Sequence, residues 1–259
     1  MFNLFTFIKL SISILLRDSS EQRESRPEAK ARLAELQSLY TQLMFLTRKK
    51  MRKNFTSSPT RINIALGLDW NDVNYCKEKI LPKISNVKYL KSLPKNTAGK
   101  QLHKFYKDWT FDELYNERYK EDILDVDMIS DERIHKLRMN VGRHIFFTHD
   151  LYHVLFQYDT SPFGEALIQA VTWKQVKNIG LLYVSFLVTC RVAWKAKSLK
   201  PFFILKEALK IGEKVNKNNL IEHSLLYFLK KDVNDLRKEF GFEQPIQYLE
   251  WNKRRNYGI

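Results

Sequence analysis

Cysteine, glycine and proline are all scarce in this chain, whose 259 residues include 2 Cys, 8 Gly and 7 Pro. So little glycine and proline excludes a collagen-like or low-complexity chain. The cysteines, Cys76 and Cys190, have no CxxC partner. This pattern excludes a disulfide scaffold and is typical of a reducing compartment. We expect both thiols to be buried as small apolar side chains.

Acidic residues are too few to balance the basic ones. The chain has 29 Asp and Glu against 44 Lys and Arg, a formal net charge of +15. Such an excess predicts an anionic partner, which could be nucleic acid, an anionic membrane surface, or a carboxylate or phosphate ligand. Because no nucleic-acid-binding module is recognisable and the basic charges are interleaved with acidic ones, we expect no nucleic acid partner.

No apolar run reaches the roughly 20 residues that a bilayer span needs. Residues 1–16 are apolar but contain Lys9, and they lack the features of a secretory signal or a mitochondrial transit peptide. They fit a membrane-surface anchor, a docked first helix or a frayed terminus, and residues 18–26 fit a polar linker. We therefore predict an N-terminal unit of residues 1–26 and a single helical domain of residues 27–259.

Alternating strand patterns are also scarce, whereas apolar residues recur at steps of three and four along most of the chain. The sequence therefore predicts an all-α fold, a multi-helix bundle, and its 44% apolar content is enough for a sizeable core. A break at residues 159–161 precedes Pro162, whose ring suits a first helical position. Helices are predicted from Pro27, over residues 130–157, from Pro162, and over residues 176–194, 201–214 and 220–240.

Two histidines and two carboxylates have a spacing that favours a metal site. His149 and His153 are four residues apart, so on a helix their imidazoles lie one turn apart on the same face. Asp150 could bend back as a ligand or accept a hydrogen bond that fixes a histidine tautomer. Glu165 follows the predicted break, and two helices joined by a tight turn would return it to the histidine face.

An HxxxH pair alone is more often structural than metal-binding, but the added carboxylates favour a metal. Two imidazoles with one or two carboxylates suit zinc, iron or manganese. This ligand set leaves positions open for water or substrate, as catalytic metal sites do. The other histidines have no comparable spacing and are assigned no role: His103, His135, His144 and His223.

The segment HDLYHVLFQYDTSPFGE, residues 149–165, resembles the signature of the coenzyme Q (ubiquinone) biosynthesis protein four family. The likeness extends to LPKNTAG at residues 93–99 and to LRKEFG at residues 236–241. It covers roughly residues 30–245 and is strongest over residues 93–170. One departure lies directly before the motif, where the family usually carries an Arg-rich polar stretch and this chain has Arg143 followed by HIFFT. That change would alter substrate or activity if those polar residues bind the substrate carboxylate.

The resemblance implies a metal-dependent enzyme of ubiquinone biosynthesis, a decarboxylase (lyase) that removes the ring carboxylate of a polyprenylated hydroxybenzoate, oxidatively, and that also organises the biosynthetic complex. It implies a helical protein, peripheral to a membrane, with an apolar channel for the polyprenyl tail beside the metal. By matching position, His149, Asp150, His153 and Glu165 would be the metal ligands and catalytic residues. Zinc is expected ahead of iron or manganese, and Arg143 is the candidate for binding the substrate carboxylate.

Expected partners are therefore a polyprenylated aromatic lipid, a membrane surface, other ubiquinone-biosynthesis proteins and a second copy in a homodimer. The expected location is the cytoplasmic face of a bacterial inner membrane, peripherally bound, or the matrix side of the mitochondrial inner membrane in a eukaryote. The residues themselves add one observation. Residues 174–200 carry six basic and no acidic residues around an apolar stretch at residues 179–188, which fits a core helix or a helix lying against an anionic bilayer.

Two other functions stay open on the sequence. A lipid-binding scaffold would keep the metal as a structural element and perform no chemistry. A metal-dependent hydrolase would use the same residues, because paired His and Asp on a helix also serve phosphoesterases.

Overall fold

The computed structural model describes residues 79–106, 144–145 and 148–256, with the side chains of residues 255 and 256 left out. Within these residues the secondary structure is helical and no strand occurs. A single isolated bridge joins Thr97 and Asp232. The predicted all-α fold is therefore confirmed.

Several predictions concern residues outside this description. They include the N-terminal unit of residues 1–26, the helix from Pro27, most of the helix over residues 130–157, and Arg143. The division into residues 1–26 and 27–259 stays a prediction for the same reason.

The helices are numbered in chain order. Their bounds are Leu81–Ile84 (α1), Val87–Ser92 (α2), Ala98–Phe105 (α3), residues 148–156 (α4), Pro162–Val176 (α5), Ile179–Ala196 (α6), Lys200–Lys217 (α7), Leu225–Leu229 (α8), Val233–Glu239 (α9) and Ile246–Asn256 (α10). A short 3₁₀ helix, Leu220–Glu222, lies between α7 and α8.

Among the helices that the structure describes, the three longest, α5, α6 and α7, pack against one another. Links of two and three residues join them, so each runs antiparallel to the next. Lys177 and Lys197 make these reversals possible by adopting positive φ values of 57° and 46°. Where α7 crosses α5, Gly212 leaves no room for a side chain, since a Cβ there would lie 2.9 Å from the Val171 Cα.

One contiguous apolar core joins this group to α3, α4 and the C-terminal helices. Its fully enclosed side chains include Leu102 on α3, Leu155 on α4, Leu167 on α5 and Leu225 on α8, each 0% exposed. Burial of this kind is the main favourable term for folding, because it removes apolar surface from water. The core reaches α4 and α5 from both sides and so fixes the two helices that carry the candidate ligands.

Helix α6 has two different faces. It is long and apolar enough for a bilayer span by length and composition, and core helices of other folds meet the same criterion. Its inner face is buried, including Ser185 and Thr189 at 0% exposed, whereas Phe186 and Trp194 on its outer face are 47% and 68% exposed. Cys190 is half-buried rather than buried as predicted.

The prediction of one helix over residues 220–240 is wrong, because a 3₁₀ helix and two α-helices occupy this range. Ser224 and Asp232 are extended, and their side chains accept hydrogen bonds from the backbone N–H groups of Leu226 and Asn234. Side chains of this type begin helices, so α8 and α9 start afresh within the predicted run. The other predicted helices past Pro162 are confirmed with shifted ends, α6 beginning at Ile179 because Lys177 and Asn178 form the turn before it.

His144 makes the stability of the fold depend on pH. Its side chain is buried at 1% exposed, and its Nε2 donates a hydrogen bond of 2.8 Å to the Ile221 carbonyl. Burial lowers the pKa of His144 to about 4, although that hydrogen bond partly opposes the shift. Between the usual pKa of about 6.5 and this lowered pKa, the His144 imidazole is protonated in the unfolded chain but not in the folded chain. The free energy of unfolding must therefore fall as the pH drops below about 6.5 and level off near 4.

We therefore expect His144→Gln, which keeps a donor but cannot titrate, to remove part of the acid sensitivity. Between pH 7 and pH 4.5 the free energy of unfolding of the natural chain should fall by about 2 kcal/mol more than that of the variant. Urea unfolding across this pH range measures the difference. Parallel pH profiles for the two proteins would show that His144 does not titrate in this way.

Candidate metal centre

His149, His153 and Glu165 bring three donor atoms together. The Nε2 of His149 lies 2.9 Å from Glu165 Oε2, and the Nε2 of His153 lies 3.3 Å from Glu165 Oε1. The two Nε2 atoms are 3.2 Å apart. All the potential ligand atoms of this cluster lie within 4.8 Å of one another. The i, i+4 spacing on α4 and the return of Glu165 on α5 therefore juxtapose the groups as the sequence predicted.

The spacing suits a metal ion. Zinc binds imidazole nitrogen and carboxylate oxygen at about 2.0–2.2 Å, so neighbouring donors of a tetrahedral site lie roughly 3.3 Å apart. Adjacent donors of an octahedral iron or manganese site lie somewhat closer, at about 3 Å. The observed separations of 2.9, 3.2 and 3.3 Å fit both arrangements.

The tautomer of His153 also suits a metal ion. Its Nδ1 lies 2.9 Å from the Tyr158 carbonyl oxygen, which can only accept, so Nδ1 carries a proton. In the neutral ring the lone pair is then on Nε2, the atom that faces His149 and Glu165. Phe105 stacks on the same imidazole at 5.3 Å between ring centroids, so the ring is held from two directions.

Mutual electrostatics shape the protonation of the cluster. Burial alone would raise the pKa of Glu165, but the hydrogen bonds and positive charges of His149 and His153 hold it well below its usual range. Burial alone would lower the pKa of His153, whereas the Glu165 carboxylate, the Tyr158 carbonyl and Asp150 together raise it. The site therefore keeps an anionic carboxylate and favours positive charge beside it, which a divalent cation would also supply.

Asp150 lies outside the three-residue cluster. Its Oδ2 accepts a hydrogen bond of 2.8 Å from the Tyr106 hydroxyl at the end of α3. The acceptor that fixes the His153 tautomer is the Tyr158 carbonyl, not the Asp150 carboxylate. A ligand role for Asp150 stays a prediction.

Glu165 is positioned by the first turn of α5. Ser161 caps the helix by accepting a hydrogen bond from the Gly164 N–H, and Pro162 follows it at the first helical position. The Glu165 N–H donates to the Ser161 carbonyl. Gly164 packs directly on Asp159, since a Cβ at this position would overlap the Asp159 carbonyl and lie 2.7 Å from its Oδ1.

Helix α10 holds the turn before α5 in place through hydrogen bonds to Asp159. The sequence did not predict this helix. Asp159 Oδ1 accepts from the Ser161 N–H, and its Oδ2 accepts from the Asn252 side chain at 3.0 Å. The Asp159 N–H donates to the Tyr248 hydroxyl at 3.2 Å. Tyr248 is 2% exposed, so the contact is part of the core. Tyr248, Leu249 and Trp251 are the apolar residues that indicated burial in this polar stretch.

A cavity of about 480 Å³ opens beside the site, with Phe105 and Val154 in its wall. Its remaining lining is largely polar and includes two cations: Asn96, Gln101, Lys104, Gln157, Val233, Asn234 and Arg237. Arg237 also donates to the Leu155 carbonyl at 3.0 Å near the end of α4. The cavity lining mixes polar and apolar atoms, and the apolar channel predicted beside a metal stays a prediction.

Comparison with known families agrees with the motif. The family model described as coenzyme Q (ubiquinone) biosynthesis protein Coq4 matches residues 75–246, well over half of the chain. The chain belongs to the Coq4 family. This confirms the predicted family and places the chain within a family of ubiquinone biosynthesis. The Coq4 match ends where the resemblance predicted but begins at residue 75 rather than near residue 30.

A curated relative supports the assignment to the Coq4 family. It is the mitochondrial ubiquinone biosynthesis protein coq-4 of Neurospora crassa, 29% identical over 185 residues. The alignment covers 69% of this chain and 47% of the relative, so the chain spans about half the length of the curated relative that it matches.

A solved structure is also similar, a candidate ubiquinone biosynthesis protein from Nostoc punctiforme. It is 17% identical, with a TM-score of 0.48, over 93% of this chain and 99% of the other. A likeness of this degree carries no argument about the fold or the function.

We expect Gly164→Ala to damage the site through the turn. The added methyl group must displace Asp159, which should cost about 3 kcal/mol of folding free energy, typical of overpacking against a rigid neighbour. Ser161→Ala is the matched comparison, because it removes only the cap and should cost about 1 kcal/mol. Chemical unfolding of both variants measures these values, and an equal cost for both would contradict the close packing of Gly164 on Asp159.

Proposed function

We propose that this protein is a metal-dependent decarboxylase of ubiquinone biosynthesis, acting oxidatively on a polyprenylated hydroxybenzoate. The observation that carries the proposal is the convergence of His149, His153 and Glu165, with ligand atoms within 4.8 Å of one another, inside the region that matches the Coq4 family. Family membership supports the pathway, and the donor set supports the metal.

The three residues would hold one divalent cation, with zinc the first expectation and iron or manganese the alternatives. When bound, such a cation stabilises the negative charge that develops as carbon dioxide leaves the ring. The protein's own residues orient this centre. The Tyr158 carbonyl fixes His153, the stacked Phe105 ring excludes water from one side, and Tyr106 holds the Asp150 carboxylate.

Substrate binding combines polar and apolar requirements. The polar cavity with Lys104 and Arg237 in its wall suits a polar or anionic part of the substrate, because both cations can accept a negative partner. The polyprenyl tail requires an apolar path, which we place elsewhere beside the metal. Arg143 remains our candidate for the substrate carboxylate on the sequence motif alone.

We further propose that the protein works at a membrane surface with other ubiquinone-biosynthesis proteins, as a homodimer. The curated relative is named as mitochondrial, which favours the matrix side of the mitochondrial inner membrane over the bacterial location. The relative extends well beyond the matched region, so partners that bind elsewhere on it are not transferred to this chain.

Metal analysis tests the centre directly. We expect the purified protein, after loading with zinc, iron or manganese, to bind close to one equivalent of metal per chain. His149→Ala and His153→Ala should each lower the metal affinity at least about tenfold, because each removes one donor of three. His103→Ala is the matched control, since His103 lies on α3 outside the cluster and should leave metal binding unchanged.

Circular dichroism must show that the variants stay folded. A natural chain that binds no metal after loading would refute the proposed centre. If the His153→Ala variant unfolds, and if added metal refolds the natural chain but not the variant, the result would favour the scaffold with a structural metal.

A turnover assay tests the reaction. With a prenylated hydroxybenzoate that carries a short, soluble tail, we expect metal-dependent replacement of the ring carboxylate by a hydroxyl group, with release of carbon dioxide and consumption of one O2 for every two turnovers. Glu165→Gln should lower kcat about 100-fold or more, because it removes the anionic ligand. Metal-loaded protein without turnover would contradict the decarboxylase, and metal-dependent cleavage of phosphoesters would favour the hydrolase.

A further inference from the structure

We propose that the corner between α6 and α7 docks onto an anionic lipid bilayer. The α6–α7 corner is defined as residues 194–203 together with Phe186. The docking proposal assigns the membrane contact of the proposed function to one surface. Its relation to a lipid substrate rests on the proposed function. The docking itself is argued from exposure, charge and position in the fold.

The corner exposes large apolar side chains to solvent. Trp194, Leu199 and Phe203 are 68%, 69% and 58% exposed, and Phe186 is 47% exposed. The three-residue link between α6 and α7 brings the first three close together in the chain. Phe186 joins them through Phe202, with ring centroids 6.1 Å apart. Clustered exposure of this kind marks an interaction surface, unlike single scattered apolar residues.

The charge around the corner identifies the partner. The corner segment, residues 194–203, contains no Asp or Glu. It contains three lysines, Lys195, Lys197 and Lys200. Tryptophan favours the interface between water and lipid, and lysines there reach anionic headgroups. A second copy of the chain is a poorer partner, because a two-fold contact would set these lysines against themselves.

The corner lies at the end of the bundle that carries the metal-binding cluster. The Ser185 hydroxyl on α6 donates to the Ala166 carbonyl on α5 at 2.7 Å, so Ser185 is level with the residue after Glu165. Trp194 is nine residues further along α6, which corresponds to about 13 Å at 1.5 Å per residue. Because α6 runs antiparallel to α5, this extension projects beyond the start of α5, past Glu165.

Docking at this corner would therefore turn the cluster end of the bundle towards the bilayer. A polyprenylated substrate is anchored in the lipid by its tail, so its ring would meet His149, His153 and Glu165 without crossing the long axis of the protein. The opposite end of α5 and α6, at the link formed by Lys177 and Asn178, would face away from the membrane.

Vesicle sedimentation with the full chain tests the proposal. We expect the protein to sediment with vesicles of phosphatidylcholine and phosphatidylglycerol and much less with phosphatidylcholine alone. The double substitutions Trp194→Glu with Phe203→Glu, and Lys197→Gln with Lys200→Gln, should each reduce binding to anionic vesicles roughly tenfold or more. Val87→Glu is the matched control, because Val87 is 57% exposed on α2, and it should bind as the natural chain does.

Metal content is measured on every variant, so that loss of metal binding can be distinguished from loss of vesicle binding. The proposal predicts unchanged metal content in both corner variants. It is overturned if the natural chain ignores anionic vesicles, or if the corner variants bind as tightly as the natural chain. It is also overturned if the corner substitutions convert a dimer into monomers while vesicle binding persists, because the surface would then be a contact between copies.

Discussion

The hydrogen bonds around Asp159 fix the turn that sets Glu165 against two histidines. Its carboxylate accepts from Ser161 and from Asn252, and its N–H donates to Tyr248. Gly164 packs on the same residue so closely that no side chain fits. A metal centre needs donors held within a fraction of an ångström, and α4 and α5 alone could rotate about the five-residue link between them, residues 157–161. The contact with α10 removes that freedom.

Local spacing made the convergence of His149, His153 and Glu165 predictable, whereas the contacts that support these three candidate ligands were not predictable. The four-residue spacing of His149 and His153 predicted that they share a helix face, and Pro162 predicted the start of the helix that carries Glu165. The groups that orient them are distant in sequence or belong to the backbone: Tyr106 is 44 residues from Asp150, and the Tyr158 oxygen is a carbonyl. No spacing rule identifies such partners. The prediction of one helix over residues 220–240 was wrong for a different reason. The capping residues Ser224 and Asp232 lie within an apolar pattern that one continuous helix would also show.

Helix α6 shows why an apolar stretch has two interpretations in sequence. Residues 179–188 are apolar on all sides, so periodicity cannot say which side meets the core. The structure separates the faces, with Ser185 bonded to α5 and Phe186 on the outside. The Ser185 and Thr189 hydroxyls on the inner face donate to backbone carbonyls, whereas the Phe186 and Trp194 side chains on the outer face are exposed. One helix therefore contributes to the core and leaves an exposed apolar surface, which is the surface that we propose docks onto the bilayer.

The fastening of Asp159 by Tyr248 and Asn252 also has a consequence for synthesis on the ribosome. These partners are separated by 89 and 93 residues, which at about 5–20 residues per second take roughly 5–20 s to translate. During that interval the histidines of α4 have already been made, but the turn that aligns Glu165 with them lacks its anchor. Until α10 has been made, the nascent chain therefore holds His149, His153 and Glu165 without the contact that aligns Glu165 with the histidines.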